Sequence, residues 1–552
     1  MPTRRSCREL TTLLGCLCFW GACSGPGPSA LPDADVAADD ASPSTETVAA
    51  DAVPKDSSPA CKAGDRFCAE DDLQVCTGGP PRHALDCAAH GWSCMDGACA
   101  APGAETTTER EWRERLVALS AQNALQPLEL DSYGGWVNAP SELGTPVTGQ
   151  YFTVQKLNGR WWFVTPEGHL FLSKGVTDVS FLGANLAEDV HHEALEAKYG
   201  SEEAWVAASQ QRLQLWGYNS VGPWISASMG QVMPHASIIL DAGGHAPRYP
   251  GFAVTDFWSE GFEENCAVKV QALAAPHVED PRLLGYFLDN ELAWEPNWAT
   301  SLTLLQNYMD FPPDAPGRAV AVQFLQDHAE SAAEFNTDWG TALGDLADVE
   351  GLSSAQLVPT TENADRLTRE FAVVAFTRYA TTAVAALKAV DPNHLVLGCR
   401  FHTYHWDELV IEAGNHFDVI SQAYYWDVPP VEDVDRVSAL VDRPFLLEEF
   451  SFKAEDSGYW NVKNFAPVVP TQKDRALAYE GYVRSWMSRP YAVAYHWYKW
   501  FDNPANPDDL LSGDNFGLLT PGDEPYEPLV TLVAEVNRQV ELWHASPAGR
   551  GP

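Results

Sequence analysis

From about residue 126 onward, short runs of apolar and aromatic residues alternate with longer stretches of helical period. The apolar runs are HLFLSKGVTDV, GYNSVGPW, ASIILDA, LLGYFLDNE, HLVLGCRF, FDVISQAYY, RPFLLEEFSF and AVAYHWYKW. Such short apolar runs are the mark of strands covered on both faces, as in a parallel sheet. Helical patterns lie between most of them, as at Glu203 to Trp216, Glu260 to Ala274, Ala364 to Val390 and Asp474 to Met487, and a last one closes the chain near Pro528 to Trp543. Alternation of this kind builds a sheet from βα units, and eight units close a barrel. A doubly wound sheet would want a glycine-rich phosphate fingerprint after its first strand, and GVTDVSFLG is not one. The predicted class is α/β, a (β/α)8 TIM barrel over residues 126–545. Residues 150–176 alternate around turns at Asn158-Gly159 and Pro166 to Gly168, which predicts a hairpin that forms a lid on the domain's entry. The largest insertion, 295–362, follows the fourth strand and is expected to wall the cleft.

The polar residues at the ends of these runs converge on the carboxyl face of the predicted barrel. They include Asp178, Trp224, Asp241, Asn290, Glu291, Arg400, His402, Tyr424, Tyr425, Glu449, His496, Trp497 and Asp502. Glu291 ends the fourth strand and Glu449 the seventh, a pair of carboxyls of the kind that glycosidic-bond cleavage uses. Strand parity sends Phe445, Leu447 and Glu449 one way and Leu446 and Glu448 the other, so one of the two adjacent glutamates faces the barrel axis and the other the helices or rim. Glu448 stays open as the alternative to Glu449. Tyr424 or Tyr425 is the candidate donor to Glu449, Arg400 the candidate source of a positive field, and Asn290 is expected to bond a sugar hydroxyl. His402 and His496 are candidates to bond sugar or to pack in the core, and Trp224 is a further candidate for binding substrate. Trp500 is expected to pack. His402, His405 and His496 lack a metalloenzyme's helical spacing, so neither metal nor cofactor is expected.

Upstream of the barrel the character differs. Arg4, Arg5 and Arg8 precede an apolar run from Leu10 to Ala22 that is too short to span a bilayer, which reads as an export signal over 1–23. Trp20-Gly21-Ala22-Cys23 resembles a lipobox, making Cys23 the candidate for lipidation, with simple cleavage as the alternative. Residues 24–60 are mostly Ala, Asp, Pro and Ser, with almost no large apolar side chains, and predict a disordered acidic linker. Cys61, Cys68, Cys76, Cys87, Cys94 and Cys99 follow at 61–100, an exported six-cysteine module expected to hold three disulfides, whose fifteen possible pairings spacing does not decide. A connecting segment, 101–125, leads into the barrel. Cys266 and Cys399 are expected to be buried or free.

Composition narrows the partners. With 76 acidic against 35 basic residues the formal charge is −41, which repels nucleic acid and anionic membranes and leaves the lipid anchor as the expected membrane contact. Twenty Trp among 552 residues supply aromatic faces suited to sugar rings as well as to a core.

Asn-Glu at the end of the fourth strand, Glu at the end of the seventh, Tyr after the sixth and Trp in the eighth resemble a clan A retaining glycoside hydrolase. GRWWFVTPEGHLFLSKGVTDVS, LGYFLDNELAW, PFLLEEFSF, TQKDRA and YHWYKWFDNP together resemble the family 50 β-agarases over about residues 130–540. The resemblance implies that Glu291 is the general acid/base and Glu449 the nucleophile, and it adds Trp497 to the substrate-binding candidates. It also implies a secreted or lipid-anchored retaining enzyme cleaving β-glycosidic bonds in an agarose- or galactan-type polysaccharide or oligosaccharide. A β-galactosidase or β-glucanase of the same clan is the alternative among enzymes, and a non-catalytic surface glycan-binding lipoprotein the alternative of another class.

Overall fold

The structure, a computed structural model, describes residues 62–546 apart from 78–79, 102, 104, 183–187, 241–248, 250–251, 298, 404, 462–465 and 504–512. The export signal with Cys23, the acidic linker, Cys61 and Asp241 lie outside the described residues.

All eight predicted apolar runs are strands of one parallel sheet. Its nine pieces are β1 (Ser173–Val176), β2 (Ser220–Val221), β3 (His235–Ile238), β4 (Leu283–Phe287), β5 (Leu395–Val396), β6 (Phe401–His402), β7 (Ile420–Ala423), β8 (Phe445–Phe450) and β9 (Ala492–Trp497). They pair in the order β5-β4-β3-β2-β1-β9-β8-β7-β6. The two terminal pieces, β5 and β6, are the two ends of the single run HLVLGCRF, so the sheet curls back on one stretch of chain in a TIM-like barrel. Gly398 at φ +97° breaks that run. The main chain bridges the break, with Leu397 N–H donating to Tyr286 and Leu288 N–H to Gly398.

Outside the sheet lie helices Glu202–Leu215, Glu260–Leu273, Glu362–Val390, Gln472–Met487 and Glu527–Asn537, close to where the helical period places them. Thr471 caps Gln472–Met487, accepting from Asp474 N–H while the Asp474 carboxylate accepts from Thr471 N–H. One turn in, Arg475 is fully buried and donates to the carbonyls of Phe452, Asn515 and Gly517. The TQKDRA motif thus starts a helix and ties down the loops that follow β8 and β9.

The hairpin formed by Thr153–Leu157 and Arg160–Val164 is not a lid over the carboxyl face. Phe152, Phe163 and Phe171 pack inside the barrel with Leu284, Leu395, Leu446 and Val493, which stand near the starts of their strands. The hairpin therefore plugs the amino-terminal end, because its large rings have an unfilled apolar interior to enter there. Within the insertion after β4, helix Leu304–Asp310 packs against Pro316–Asp327, and these two and Ala332–Trp339 each meet Glu362–Val390.

In the small amino-terminal module, Cys68 is bridged to Cys94 and Cys87 to Cys99, and Cys76 is also disulfide-bonded. Cys266 and Cys399 are free and buried. Most of the connecting segment is helix Thr107–Leu125. Trp112 on it meets Trp92 of the module edge-on at 5.7 Å and donates its indole N–H to the Pro528 carbonyl at 2.9 Å. Arg115 pairs with Glu480, and Asn123 donates to the Glu535 carbonyl. The segment is a docked helix rather than a free connector.

Candidate active site

Residues around the site on the carboxyl face adopt the left-handed backbone region, among them Asp178 (φ 63°), Trp224 (φ 61°), Glu291 (φ 50°) and Arg400 (φ 55°). A non-glycine residue held there costs on the order of 1–3 kcal/mol, and such strain collects where the fold must aim a side chain. These four lie just past the ends of β1, β2 and β4 and inside the β5–β6 break.

Arg400 organises the group. Its side chain has no exposed surface. The guanidinium donates through Nε to Asn290 Oδ1 at 2.7 Å, lies 2.7 Å from Glu448 Oε2 through Nη1, and donates through Nη2 to Glu449 Oε1. Its ring-plane contacts are Trp224, 4.7 Å from the guanidinium carbon, and Phe287, 5.2 Å away. The main chain of the same residue receives Glu291 N–H at 3.0 Å and donates its own N–H to Ser421 Oγ at 3.0 Å. One residue thereby ties the end of β4 to the end of β8.

Both adjacent glutamates reach Arg400, contrary to the parity expectation. The ladder is irregular there: β8 shifts register against β9 between Leu447 and Phe450, and against β7 where Ala423 comes to pair with Glu449. Such a bulge re-aims side chains that strict alternation would send to opposite faces. Leu446 still points to the plugged interior, and Phe450 lies outside, stacked on Tyr482 at 4.6 Å.

Three carboxyls surround this one cation, and burial separates them. Glu448 is fully buried, and desolvation, with repulsion from Glu449 and Glu291 outweighing the pull of Arg400, holds its carboxyl well above the ordinary glutamate range. Burial also raises Glu449, with Arg400 drawing it down, Glu291 pushing it up and the Tyr425 hydrogen bond drawing it down again. Tyr425 donates its hydroxyl to Glu449 Oε2. Burial thus lifts Glu448 well above the ordinary range, whereas Arg400 and Tyr425 both hydrogen-bond Glu449 and favour its ionised form.

Glu291 has 13% of its side chain exposed, and its Oε1 lies 3.2 Å from His402 Nδ1. Trp224 is half-buried beside Arg400. The expected set of Asn290, Glu291, Arg400, His402, Tyr425, Glu449 and Trp224 is thus brought together.

Three expected residues are elsewhere. Tyr424 contributes main chain only, its N–H bonding the Glu449 carbonyl at 2.9 Å and its carbonyl accepting from Tyr482. His496 lies inside the barrel, where Nε2 meets Ser173 Oγ at 2.8 Å, and burial lowers its pKa to about 3. A methyl group at Gly175 would stand 2.4 Å from its ring, so glycine is what admits it. Trp497 is fully buried against Phe450 and Tyr479, with its N–H on the Phe516 carbonyl; it faces the helices and offers no platform. Trp500 packs on Trp216, as expected.

The ring that the eighth unit does present is Tyr498, part-buried and 6.2 Å from Tyr425 edge-on. Burial and the charges of Asp178, Glu449 and Glu291 raise its hydroxyl well above the usual range. Alternation within YHWYKW places residues 496 and 498 together, but the choice between odd and even positions requires the register. Beside it, buried Asp178 pairs with buried Lys499 at 3.3 Å.

A TIM-like barrel with carboxyls past the end of β4 and at the end of β8, both tied to one buried arginine residue, is an architecture suited to hydrolysing glycosides. In keeping with it, the chain is similar to beta-agarase B of Vibrio sp. (strain JT0107), 25% identical over 511 aligned residues that cover 79% of this chain and 52% of that protein. It is likewise similar to beta-agarase A of the same strain, 25% identical over 470 residues covering 72% and 46%. The chain thus spans about half the length of the curated relatives it matches. Among solved structures, an agarase, AgWH50C, superimposes with a TM-score of 0.65 at 22% identity, covering 82% of this chain and 73% of that one. An exo-beta-agarase matches with a TM-score of 0.65 at 19% identity, over 80% and 71%. No family model matches the chain.

Proposed function

We propose that this protein is a retaining glycoside hydrolase, a closed (β/α)8 barrel that cleaves β-glycosidic bonds in an agarose-type galactan by double displacement. The observation that carries the reading is the pair of donors on Glu449, Arg400 and Tyr425, with Glu291 near enough for its charge to act on Glu449. Two donors on one carboxylate favour its ionised, nucleophilic form.

In the first step an ionised Glu449 oxygen attacks the anomeric carbon while the protonated Glu291 carboxyl gives its proton to the leaving glycosidic oxygen. The carbon–oxygen bond to the leaving sugar breaks as the ester to Glu449 forms. In the second step Glu291, now ionised, takes a proton from water, whose oxygen displaces Glu449. The configuration is restored by two inversions. Retaining chemistry calls for carboxyls about 5–5.5 Å apart. Asn290, fixed by Arg400, is placed to bond a hydroxyl next to the reacting carbon. The agarose-type substrate is the class that the two Vibrio relatives are named for.

The test is the stereochemistry of the first product, followed by NMR on β-linked galacto-oligosaccharides. The β anomer is expected first; an initial α anomer overturns the mechanism. Azide added to Glu449→Gly should yield an inverted glycosyl azide, and unaffected turnover in that variant removes Glu449 from the role. A panel of β-linked galactans and glucans tests the substrate class. We further propose that the protein is exported and held by lipid at Cys23; labelling with a radioactive fatty acid, lost in Cys23→Ser, tests this.

A further inference from the structure

The amino-terminal end of the barrel, away from the catalytic carboxylates, carries three ligand-type side chains that the proposed reaction leaves unused. His235 begins β3, His277 ends the 3₁₀ turn Ala275–His277, and Asp280 precedes β4. Asp280 Oδ2 lies 3.8 Å from His235 Nε2 and 3.7 Å from His277 Nδ1, and the three atoms fall within 4.8 Å of one another. Both separations exceed an ordinary hydrogen-bond length. The edge of a tetrahedron with zinc bonds of 2.0–2.1 Å is about 3.3 Å, so the two edges that meet at Asp280 would each shorten by about half an ångström to close on one ion.

The outer contacts are those of metal ligands. His235 Nδ1 faces the Met233 carbonyl at 3.3 Å, which makes it the protonated nitrogen and leaves the Nε2 lone pair directed at Asp280. Asp280 Oδ1 accepts Arg282 N–H at 2.9 Å, orienting the carboxylate so that Oδ2 points at the imidazoles. The Asp280 carbonyl is held by His394 Nε2 at 2.9 Å, and His394 in turn by Asp391. His235 is buried while His277 and Asp280 are partly open, which leaves room for water to complete the coordination. Asp131, Glu167 and His169 form a second cluster of similar dimensions. There both Asp131 oxygens are already engaged, by Tyr133 and Gly135 N–H and by Thr165 and His169, so that cluster is structural.

We propose that His235, His277 and Asp280 bind one first-row divalent cation of the zinc class. Two imidazoles and one carboxylate suit such an ion rather than calcium or magnesium, which prefer all-oxygen sets. The ion would fasten the start of β3 to the segment that enters β4. Because it sits on the end of the barrel associated with stability, its effect is on unfolding and not on turnover.

The test uses the full-length chain, stripped with a chelator and titrated with Co²⁺. We expect a visible absorption band that saturates at one equivalent and is displaced by Zn²⁺. At a hundredfold excess over Kd, Tm should rise by roughly 2–3 °C for a chain of this size. His277→Ala, at a part-exposed position, and Asp280→Asn, which keeps the Arg282 contact, should both fold and lose the band and the shift. Absence of a saturable band overturns the proposal, as does a band untouched by either variant. An equal drop in Tm for His277→Ala with and without metal reduces the cluster to an ordinary ion pair.

Discussion

The Arg400 guanidinium lies 2.7 Å from the Glu448 carboxylate, although neither side chain has any exposed surface and Glu449, next in the chain, competes for the same cation. Burial holds the Glu448 carboxyl well above the ordinary glutamate range, which favours its neutral form. Glu448→Gln copies the neutral form and should retain kcat/KM within about tenfold, whereas Glu449→Gln should lose roughly three orders of magnitude or more. Initial rates on one oligosaccharide decide between them.

The same raised carboxyl affects stability with a definite sign. A group whose folded pKa exceeds its unfolded value binds more protons when folded, so its contribution is full below the unfolded glutamate pKa of about 4.3 and is lost as pH rises through the folded pKa. Relative to the wild type, Glu448→Gln should therefore gain stability as pH is raised from 4 to 8. Urea midpoints across that range measure it; a constant difference would mean that Glu448 titrates normally.

Tyr425 donates to the ionised form of Glu449 and so favours it. Removing that donor in Tyr425→Phe should move the acid limb of the kcat/KM profile to higher pH. A hydrogen bond to a charged group contributes about 1.5–3 kcal/mol, which corresponds to a loss of roughly tenfold to a hundredfold in rate. A smaller loss with an unmoved acid limb would place Tyr425 in a packing role.

Two tryptophans should separate stability from binding. Trp497 is wholly enclosed, so Trp497→Ala should cost about 3–5 kcal/mol in denaturant unfolding. Trp426, just beyond Tyr425, leaves 58% of its surface exposed. Trp426→Ala should leave the unfolding midpoint unchanged and raise KM for long oligosaccharides roughly two- to tenfold if the ring stacks on sugar. An unchanged KM would leave that ring without a substrate contact.

Acid stability has its own residue. Burial pushes Asp391 up, but hydrogen bonds from His394 and Tyr286 bring it down to about 2. Because the folded pKa is depressed, its contribution is present above the unfolded aspartate pKa of about 3.9 and is lost as pH falls through about 2. Asp391→Asn should be about 1.5–3 kcal/mol less stable at pH 7, with the deficit shrinking below pH 4.

Much of this fold is legible in the sequence because both faces of a barrel strand are covered. LLGYF is buried at every position, and a continuous apolar run signals that without any alternation to interpret. Glu291 could be found because the run ends abruptly in charge. Glu449 is less legible, since parity holds only while the ladder is regular, and the register shift after Leu447 shows only in the pairing of β8 with β7 and β9. The same dependence on register hid Tyr498 behind Trp497. The hairpin was recognisable from its turns, but the end of the barrel it closes is decided by Phe152, Phe163 and Phe171 finding an apolar interior. His235, His277 and Asp280 are too scattered among loops and strand starts for any spacing rule to gather them.

The break between β5 and β6 has a bearing on refolding. Asn290 and Glu291 come from the earlier strands and Glu448 and Glu449 from the later ones, and Arg400, inside that break, holds both sides. Folding that forms either group of strands alone would produce secondary structure and an apolar core without both carboxyls in place. Return of activity after dilution from urea then reports the joining of the two halves, and it should trail the recovery of helical signal by whatever time that last closure takes.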